Sequence, residues 1–222
     1  MKRWQLLGEA RTPDGVALTL TRHDREYIIM ADGRTLMSSR MHGSEEALAE
    51  FALEGLCSPG ACALVGGLGM GFTLRATLDR LSADATIVVA ELVPGIVEWN
   101  RGPLGPLAGH PLKDPRVRLE LEDVGNTLRA SAARFDAILL DTDNGPDAFT
   151  AATNAWLYGD SGLSAARVAL KRGGVLAVWS AWENRKFEQR LRYAGFSVAV
   201  ERVRGRLERG GPKHTIFLAT RT

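Results

Sequence analysis

The sequence predicts an α/β protein, a doubly wound and mostly parallel sheet with a small antiparallel β appendage at its N-terminal side. Three observations predict it. A glycine-dense turn, Gly66-Gly67-Leu68-Gly69-Met70-Gly71, stands between a short apolar run and a helical stretch. Beyond that turn, apolar runs of strand length alternate with segments at helical spacing. Before it the rhythm differs, with short runs that alternate apolar and polar residues.

In the first region Val16 to Thr21, Tyr27 to Met30 and Thr35 to Met37 read as strands. Turns fall at Thr12-Pro13-Asp14-Gly15 and Asp32-Gly33, and Asp-Gly between two such runs is a strong hairpin signal. Ser44 then opens a helix that stops before Ser58-Pro59-Gly60. The expected division is a β region at residues 1–43 and a larger domain at 44–222.

In the second region Ala61 to Val65 is continuously apolar, as a parallel strand covered on both faces requires. Thr86 to Ala90 is the second strand of this unit, Val117 to Glu120 the third and Phe135 to Leu140 the fourth. Gly173-Gly174 launches the fifth, Val175 to Trp179, after a helix over Leu163 to Lys171. Phe196 to Val203 and Thr215 to Ala219 close the chain as a hairpin.

At 222 residues, 45% hydrophobic and 24% charged, the chain suits one core. No apolar run approaches the roughly 20 residues of a membrane span, and charge at Lys2 and Arg3 with Glu9 is too early for a signal peptide. The expectation is a cytoplasmic protein without membrane contact. Cys57 and Cys62 make neither a disulfide framework nor a metal site, so no metal is expected. A formal net charge of +2 argues against nucleic acid. The late cluster Arg202, Arg204, Arg206 and Arg209 is interrupted by Glu201 and Glu208 and reads as the solvent face of the hairpin.

The glycines let the backbone turn tightly and approach a nucleotide with no Cβ in the way. A dinucleotide fingerprint needs glycine at position 72, where Phe72 stands. The G-x-G-x-G spacing favours a Rossmann-like scaffold for sulfonium nucleotides over nicotinamide enzymes. Glu91, at the end of the second strand, is placed to accept hydrogen bonds from both ribose hydroxyls of an adenosine. Glu122-Asp123 follow the third strand and Asp141 the fourth. Each acid alone would be ordinary; together, at successive strand ends, they form a constellation.

With these motifs the chain resembles the spermidine synthase family of polyamine aminopropyltransferases, within the class I methyltransferase-like fold. The resemblance rests on the glycine loop, on Ala90-Glu91-Leu92-Val93-Pro94, on Asp114-Pro115-Arg116-Val117 leading to Glu122-Asp123, and on Phe135 to Asp141. The family's fourth strand ends in Asp-x-x-Asp-Pro; here the run is Asp141-Thr142-Asp143-Asn144-Gly145-Pro146, one residue tighter. It implies that Gly66, Gly67, Gly69, Gly71, Glu91 and Asp123 hold the nucleotide, Glu91 by its ribose and Asp123 by the adenine amino group. Asp141 becomes the base or electrostatic anchor for an incoming amine, with Asp143 as its helper. Tyr158 stands about where the family has a tyrosine, and it and Trp182 are the expected acceptor contacts, with Trp156 and Trp179 as further aromatics nearby.

There are departures. Leu36 stands where the family has a glutamine against the donor's amino-acid portion. Ser44-Glu45-Glu46 is the nearest match to the family's Tyr-His-Glu, and His42 before it reads as an exposed or capping residue. The function expected is transfer of an aminopropyl group from decarboxylated S-adenosylmethionine to a small amine or polyamine. The alternatives are a small-molecule methyltransferase using S-adenosylmethionine itself, and a non-catalytic paralogue that only binds nucleotide. A homodimer is the expectation by analogy.

Overall fold

The structure, a computed structural model, describes residues 3–142, 145–146, 156–205 and 211–222. Four strands, β1 (Gln5–Arg11), β2 (Ala17–His23), β3 (Glu26–Ala31) and β4 (Arg34–Ser38), form an antiparallel sheet in the order β1-β2-β3-β4. The expected appendage is there, with one strand more than the sequence pattern supplies. β1 escapes the pattern because adjacent Leu6 and Leu7 break the alternation and Gly8 sits at a register shift. Both residues of the β3–β4 turn carry positive φ, Asp32 at 45° and Gly33 at 77°, which is why Asp-Gly belongs there.

The larger sheet contains β5 (Cys62–Gly66), β6 (Thr86–Ala90), β7 (Val117–Glu120), β8 (Phe135–Leu140), β9 (Leu170–Ser180), β10 (Phe196–Arg204) and β11 (Lys213–Arg221). Their order is β10-β11-β9-β8-β5-β6-β7. The five strands from β9 to β7 are parallel, and β11 and β10 add an antiparallel hairpin at one edge. β9 begins earlier than Gly173-Gly174, because Leu170 already pairs with Phe135 before a register shift restores the ladder at Ala137 and Val175. Accordingly the helix before it ends at Ala169 rather than Lys171.

The period-two alternation of these strands divides the core. Ala63, Val65, Ile87, Val89, Ala137 and Leu139 face one side; Leu64, Val88, Ile138 and Leu140 face the other. The first side is covered by α1 (Gly43–Ala52), α2 (Phe72–Arg80) and α3 (Pro94–Arg101), through residues such as Leu48, Leu74 and Ile96. The second is covered by α4 (Val124–Arg129), α5 (Asp160–Ala169) and α6 (Arg185–Tyr193), through Leu128, Leu163 and Phe187. Both faces are therefore dry, which explains the unbroken apolar runs. Among the described residues no helix is long and apolar enough to cross a membrane.

Leu18, Leu20 and Ile29 of the small sheet belong to the same buried cluster as the α1–α3 face. The appendage is therefore joined to the larger sheet by a continuous core. Its approach depends on two glycines. A Cβ at Gly8 would run into the Trp99 indole, and one at Gly95, on α3, into the Cβ of Ala10.

This contact inverts the ordinary helix preference. In a free helix Gly→Ala gains about 1 kcal/mol, whereas Gly95→Ala here must push β1 off α3. We expect a loss of about 1–2 kcal/mol by urea denaturation, largely recovered when Ala10→Gly is added. A more stable Gly95→Ala single variant would contradict this packing.

Candidate active site

Parallel register brings the predicted site residues level. Gly66 pairs with Ala90 on one side and with Leu140 on the other, so the next residues, Gly67, Glu91 and Asp141, emerge at one rim. Backbone bonds fix them there: Gly67 N–H donates to Ala90 O (2.9 Å) and Asp141 N–H to Gly66 O (2.9 Å). Ala90 pairs with Glu120, which carries Glu122 and Asp123 to the same end. Ligands in open α/β sheets bind outside these carboxyl ends. A cleft of about 320 Å³ lies there, lined by Gly67, Gly69, Glu91, Glu122, Asp123 and Asp141 among others. That volume lies within the roughly 300–1,000 Å³ of small-molecule sites.

The four glycines divide by role. Gly67 has φ 88° and a Cβ there would stand 2.5 Å from Asp141 O, so the loop lies directly against the acid's backbone. At Gly69 (φ 50°) a Cβ would meet the Met37 thioether at 2.8 Å, and this is where the small sheet closes over the loop. Gly66 and Gly71 do not line the cleft. A Cβ at Gly66 would strike Val124 and Leu140, and one at Gly71, the left-handed residue before α2, would strike Asn100 Oδ1. Their requirement is packing.

Glu91 is buried, 7% exposed, with Oε2 accepting from Leu68 N–H (2.9 Å) and Oε1 from Val93 N–H (2.8 Å). Burial raises its pKa, and these backbone donors act against the rise. Asp123 caps α4 by accepting from Gly125 N–H at 2.6 Å. Asp141 accepts from Thr73 Oγ1 at 2.6 Å. Desolvation pushes its pKa up to about 6, opposed by the Thr73 bond. Asp143 lies outside the described residues.

The acceptor side departs from expectation. Tyr158 is buried behind the wall, its hydroxyl 2.7 Å from Thr142 Oγ1 and its ring edge-on to Phe187. Thr142 lines the cleft and Tyr158 does not. Trp182 is 46% exposed, with its carbonyl accepting from Ser180 Oγ, and it too is absent from the lining. Trp179, on the β9 strand itself, lines the cleft with the His214 ring tilted against it at 4.8 Å. A strand residue holds a fixed direction across the rim, whereas Trp182 has already left the ladder. Trp156 instead lies beneath the Arg129 guanidinium at 4.2 Å.

The residue that sequence reasoning missed is Glu45. It is buried on the first turn of α1, accepts from Ser44 Oγ (2.6 Å) and lines the cleft with Ser44 and Asp141. Desolvation first, and then the Asp141 charge, push its pKa up to about 8. The available signal was the pair of acids opening a helix, and in a first turn such acids are usually exposed and paired with the helix dipole. Glu46 behaves that way, 2.8 Å from His42 Nδ1. His42 precedes α1 and stacks on Phe72 at 4.2 Å, outside the cleft lining. Cys57 and Cys62 are both free thiols.

The rim thus gathers Glu91, Glu122, Asp123 and the buried pair Glu45 and Asp141 between apolar walls that include Leu36, Met37, Ile96 and Leu157. The family model for the spermine/spermidine synthase domain matches residues 41–192. A crystal structure of spermidine synthase in complex with the transition-state analogue AdoDATO superposes at TM-score 0.77 with 17% identity, over 98% of this chain and 73% of that one. Spermidine synthase from Thermotoga maritima superposes at TM-score 0.78 with 18% identity and the same coverage. Comparison with curated proteins gives no match.

The acid pair dictates a stability profile. Both folded values lie above the ordinary ones, 4.5 for Glu45 and 3.8 for Asp141. The folded protein therefore binds more protons than the unfolded chain between those values and about 8 and 6. The stabilisation is complete below about pH 4 and is lost as pH rises through 6 and then 8. We expect the thermal midpoint to fall over pH 5–8.5 and Glu45→Gln to flatten that fall, the variant being a few °C more stable than wild type at pH 8.5. Parallel melting curves for the two proteins would contradict this.

Proposed function

The chain belongs to the spermine/spermidine synthase family, and from that premise we propose that it transfers an aminopropyl group from decarboxylated S-adenosylmethionine to a small amine. One observation carries the choice of donor. The cleft is lined by six carboxylates, Asp14, Glu45, Glu91, Glu122, Asp123 and Asp141, and by no lysine or arginine among the described residues. A donor that kept its carboxylate would bring an anion among acids with no cation to receive it, and like charges raise each other's cost. The decarboxylated donor brings a sulfonium and an ammonium, both favoured by this field.

In this reading the adenosine lies across the strand ends. Glu91 accepts from the two ribose hydroxyls, its carboxylate already oriented by Leu68 N–H and Val93 N–H. Asp123 accepts from the adenine amino group while its other role caps α4. Val93 and Ile96 on one side and Leu157 on the other supply apolar contact for the base and exclude water. The glycine backbone at Gly67 and Gly69 gives the sugar and sulfur room to approach.

The acceptor arrives as an ammonium and loses one proton to Asp141. Its nitrogen then attacks the carbon beside sulfur. The C–N bond forms as the C–S bond breaks, both electrons of the latter going to sulfur. Methylthioadenosine leaves as a neutral thioether and the product as a protonated secondary amine. A base with pKa about 6 suits this task near neutral pH. Thr73 fixes the carboxylate's direction. Asp143, the expected helper, keeps that role as part of the proposal. Leu36 and Met37 replace polar contact near the transferred chain with apolar cover.

Three measurements test this. Decarboxylated S-adenosylmethionine with straight-chain diamines should release methylthioadenosine, and S-adenosylmethionine should give at most a hundredth of that rate. Asp141→Asn should lower kcat by about 10²-fold or more, with the Kd for methylthioadenosine within threefold of wild type. Glu91→Gln should instead weaken that Kd by roughly 10-fold, as expected for a charged acceptor lost from a buried hydrogen bond. Equal rates with the two donors would remove the reason for choosing aminopropyl over methyl transfer.

A further inference from the structure

Glu45 and Asp141 reach the same cleft from different elements, the first turn of α1 and the end of β8. Each has one oxygen fixed by a buried or half-buried hydroxyl: Ser44 Oγ on Glu45 Oε2 and Thr73 Oγ1 on Asp141 Oδ2, both at 2.6 Å. The two hydroxyls hold the carboxyl groups in place without supplying positive charge. The charges acting on Glu45 are both negative, Asp141 and Glu46.

Among the described residues, no lysine or arginine of the elements packed against α1 lines the cleft. On α2, Arg75 pairs with Asp79 and Arg80 with Glu50. On β9, Lys171 pairs with Asp136 of β8, and on β10, Arg202 pairs with Glu183. Glu201, Arg204 and Lys213 are exposed on the closing hairpin. His214 on β11 lines the cleft, and burial lowers its pKa, favouring the neutral ring. With no cation beside them among the described residues, two buried acids are costly, and one of them must hold a proton until a cation arrives. Met41, Trp179 and Ala181, which line the same cleft, offer no positive charge.

We propose that Glu45 is a second catalytic acid of the acceptor site, clamping the attacking group with Asp141 as a primary ammonium and sharing the proton it gives up. The inference rests on the aminopropyl-transfer reading for the reaction it serves, but the clamp itself is a property of the two carboxyls. The ammonium displaces the proton held between the acids. One N–H proton then returns to the pair, the freed amine attacks, and the pair keeps that proton as the product leaves, which restores its resting state; the one proton lost to solvent is the one the ammonium displaced on binding. An alcohol or thiol brings no cation, so it binds against the uncompensated pair and is rejected.

The test is Glu45→Gln with Glu46→Gln as the control. In Glu45→Gln the KM for 1,4-diaminobutane should rise at least tenfold, and the Kd for methylthioadenosine should stay within threefold. With the ammonium bound both acids are ionised, so the acidic limb of the kcat profile should move to lower pH, Asp141 having lost a negative neighbour in that complex. Glu46→Gln should leave all three unchanged. An unchanged amine KM and pH profile in Glu45→Gln overturns the proposal while leaving aminopropyl transfer standing. A second measurement needs no variant: carboxyl ¹³C shifts of the wild type saturated with methylthioadenosine. Coupled two-step titration of Glu45 and Asp141, collapsing when 1,4-diaminobutane is added, supports the clamp even if no transfer is detected. Independent titration unaffected by the amine overturns it.

Discussion

The carboxylate of Glu91 is the point from which the rest of the site is measured. It leaves the end of β6 and spends one oxygen on the glycine loop and the other on the turn into α3, through Leu68 N–H and Val93 N–H. Those bonds join the two loops on which a nucleoside would rest. They also make the burial of a charge tolerable, since a carboxylate taking backbone donors recovers part of what desolvation costs. Remove the acid and two backbone donors lose their partner, so its place in the architecture is as much structural as chemical. The Gly67 N–H to Ala90 O bond and the Asp141 N–H to Gly66 O bond then carry the same frame across β5 to Asp141.

From this frame the electrostatic character of the cleft follows. Four strand ends, after β5, β6, β7 and β8, bring acids or glycines to one rim, and the surfaces between them are apolar. Such a site favours a ligand with positive charge and apolar body, and it penalises a free carboxylate. The small β sheet completes this environment. Leu18, Ile29 and Met37 enter the cleft wall from a sheet whose own core is continuous with the α1–α3 face. The close contacts of Gly8 with Trp99 and of Gly95 with Ala10 set that sheet directly against α3.

Much of this was legible in the residues. The parallel strands β5 to β8 announce themselves as continuous apolar runs because both faces are buried, and the acids at their ends are conspicuous against such runs. Glu91, Asp123 and Asp141 all reach the cleft. What failed to show was whatever depends on direction rather than type. Gly66 and Gly71 share the loop with Gly67 and Gly69, yet they answer to Val124, Leu140 and Asn100 instead of to the cleft. Trp182 and Trp179 are equally aromatic, but only the strand residue faces the cavity. Tyr158 supports Thr142 from behind. Glu45 and Glu46 are adjacent and chemically alike, and one helical step, about 100°, separates a buried acid facing Asp141 from a partly exposed one bound to His42. No composition or spacing rule distinguishes such neighbours without the partner elements.

The most direct test of the account is a crystal structure of the protein with methylthioadenosine. The account predicts the ribose diol on Glu91, the adenine edge at Asp123 and the thioether sulfur turned toward the pocket shared by Asp141 and Glu45. A nucleoside bound elsewhere, or one whose ribose leaves Glu91 unengaged, would contradict it.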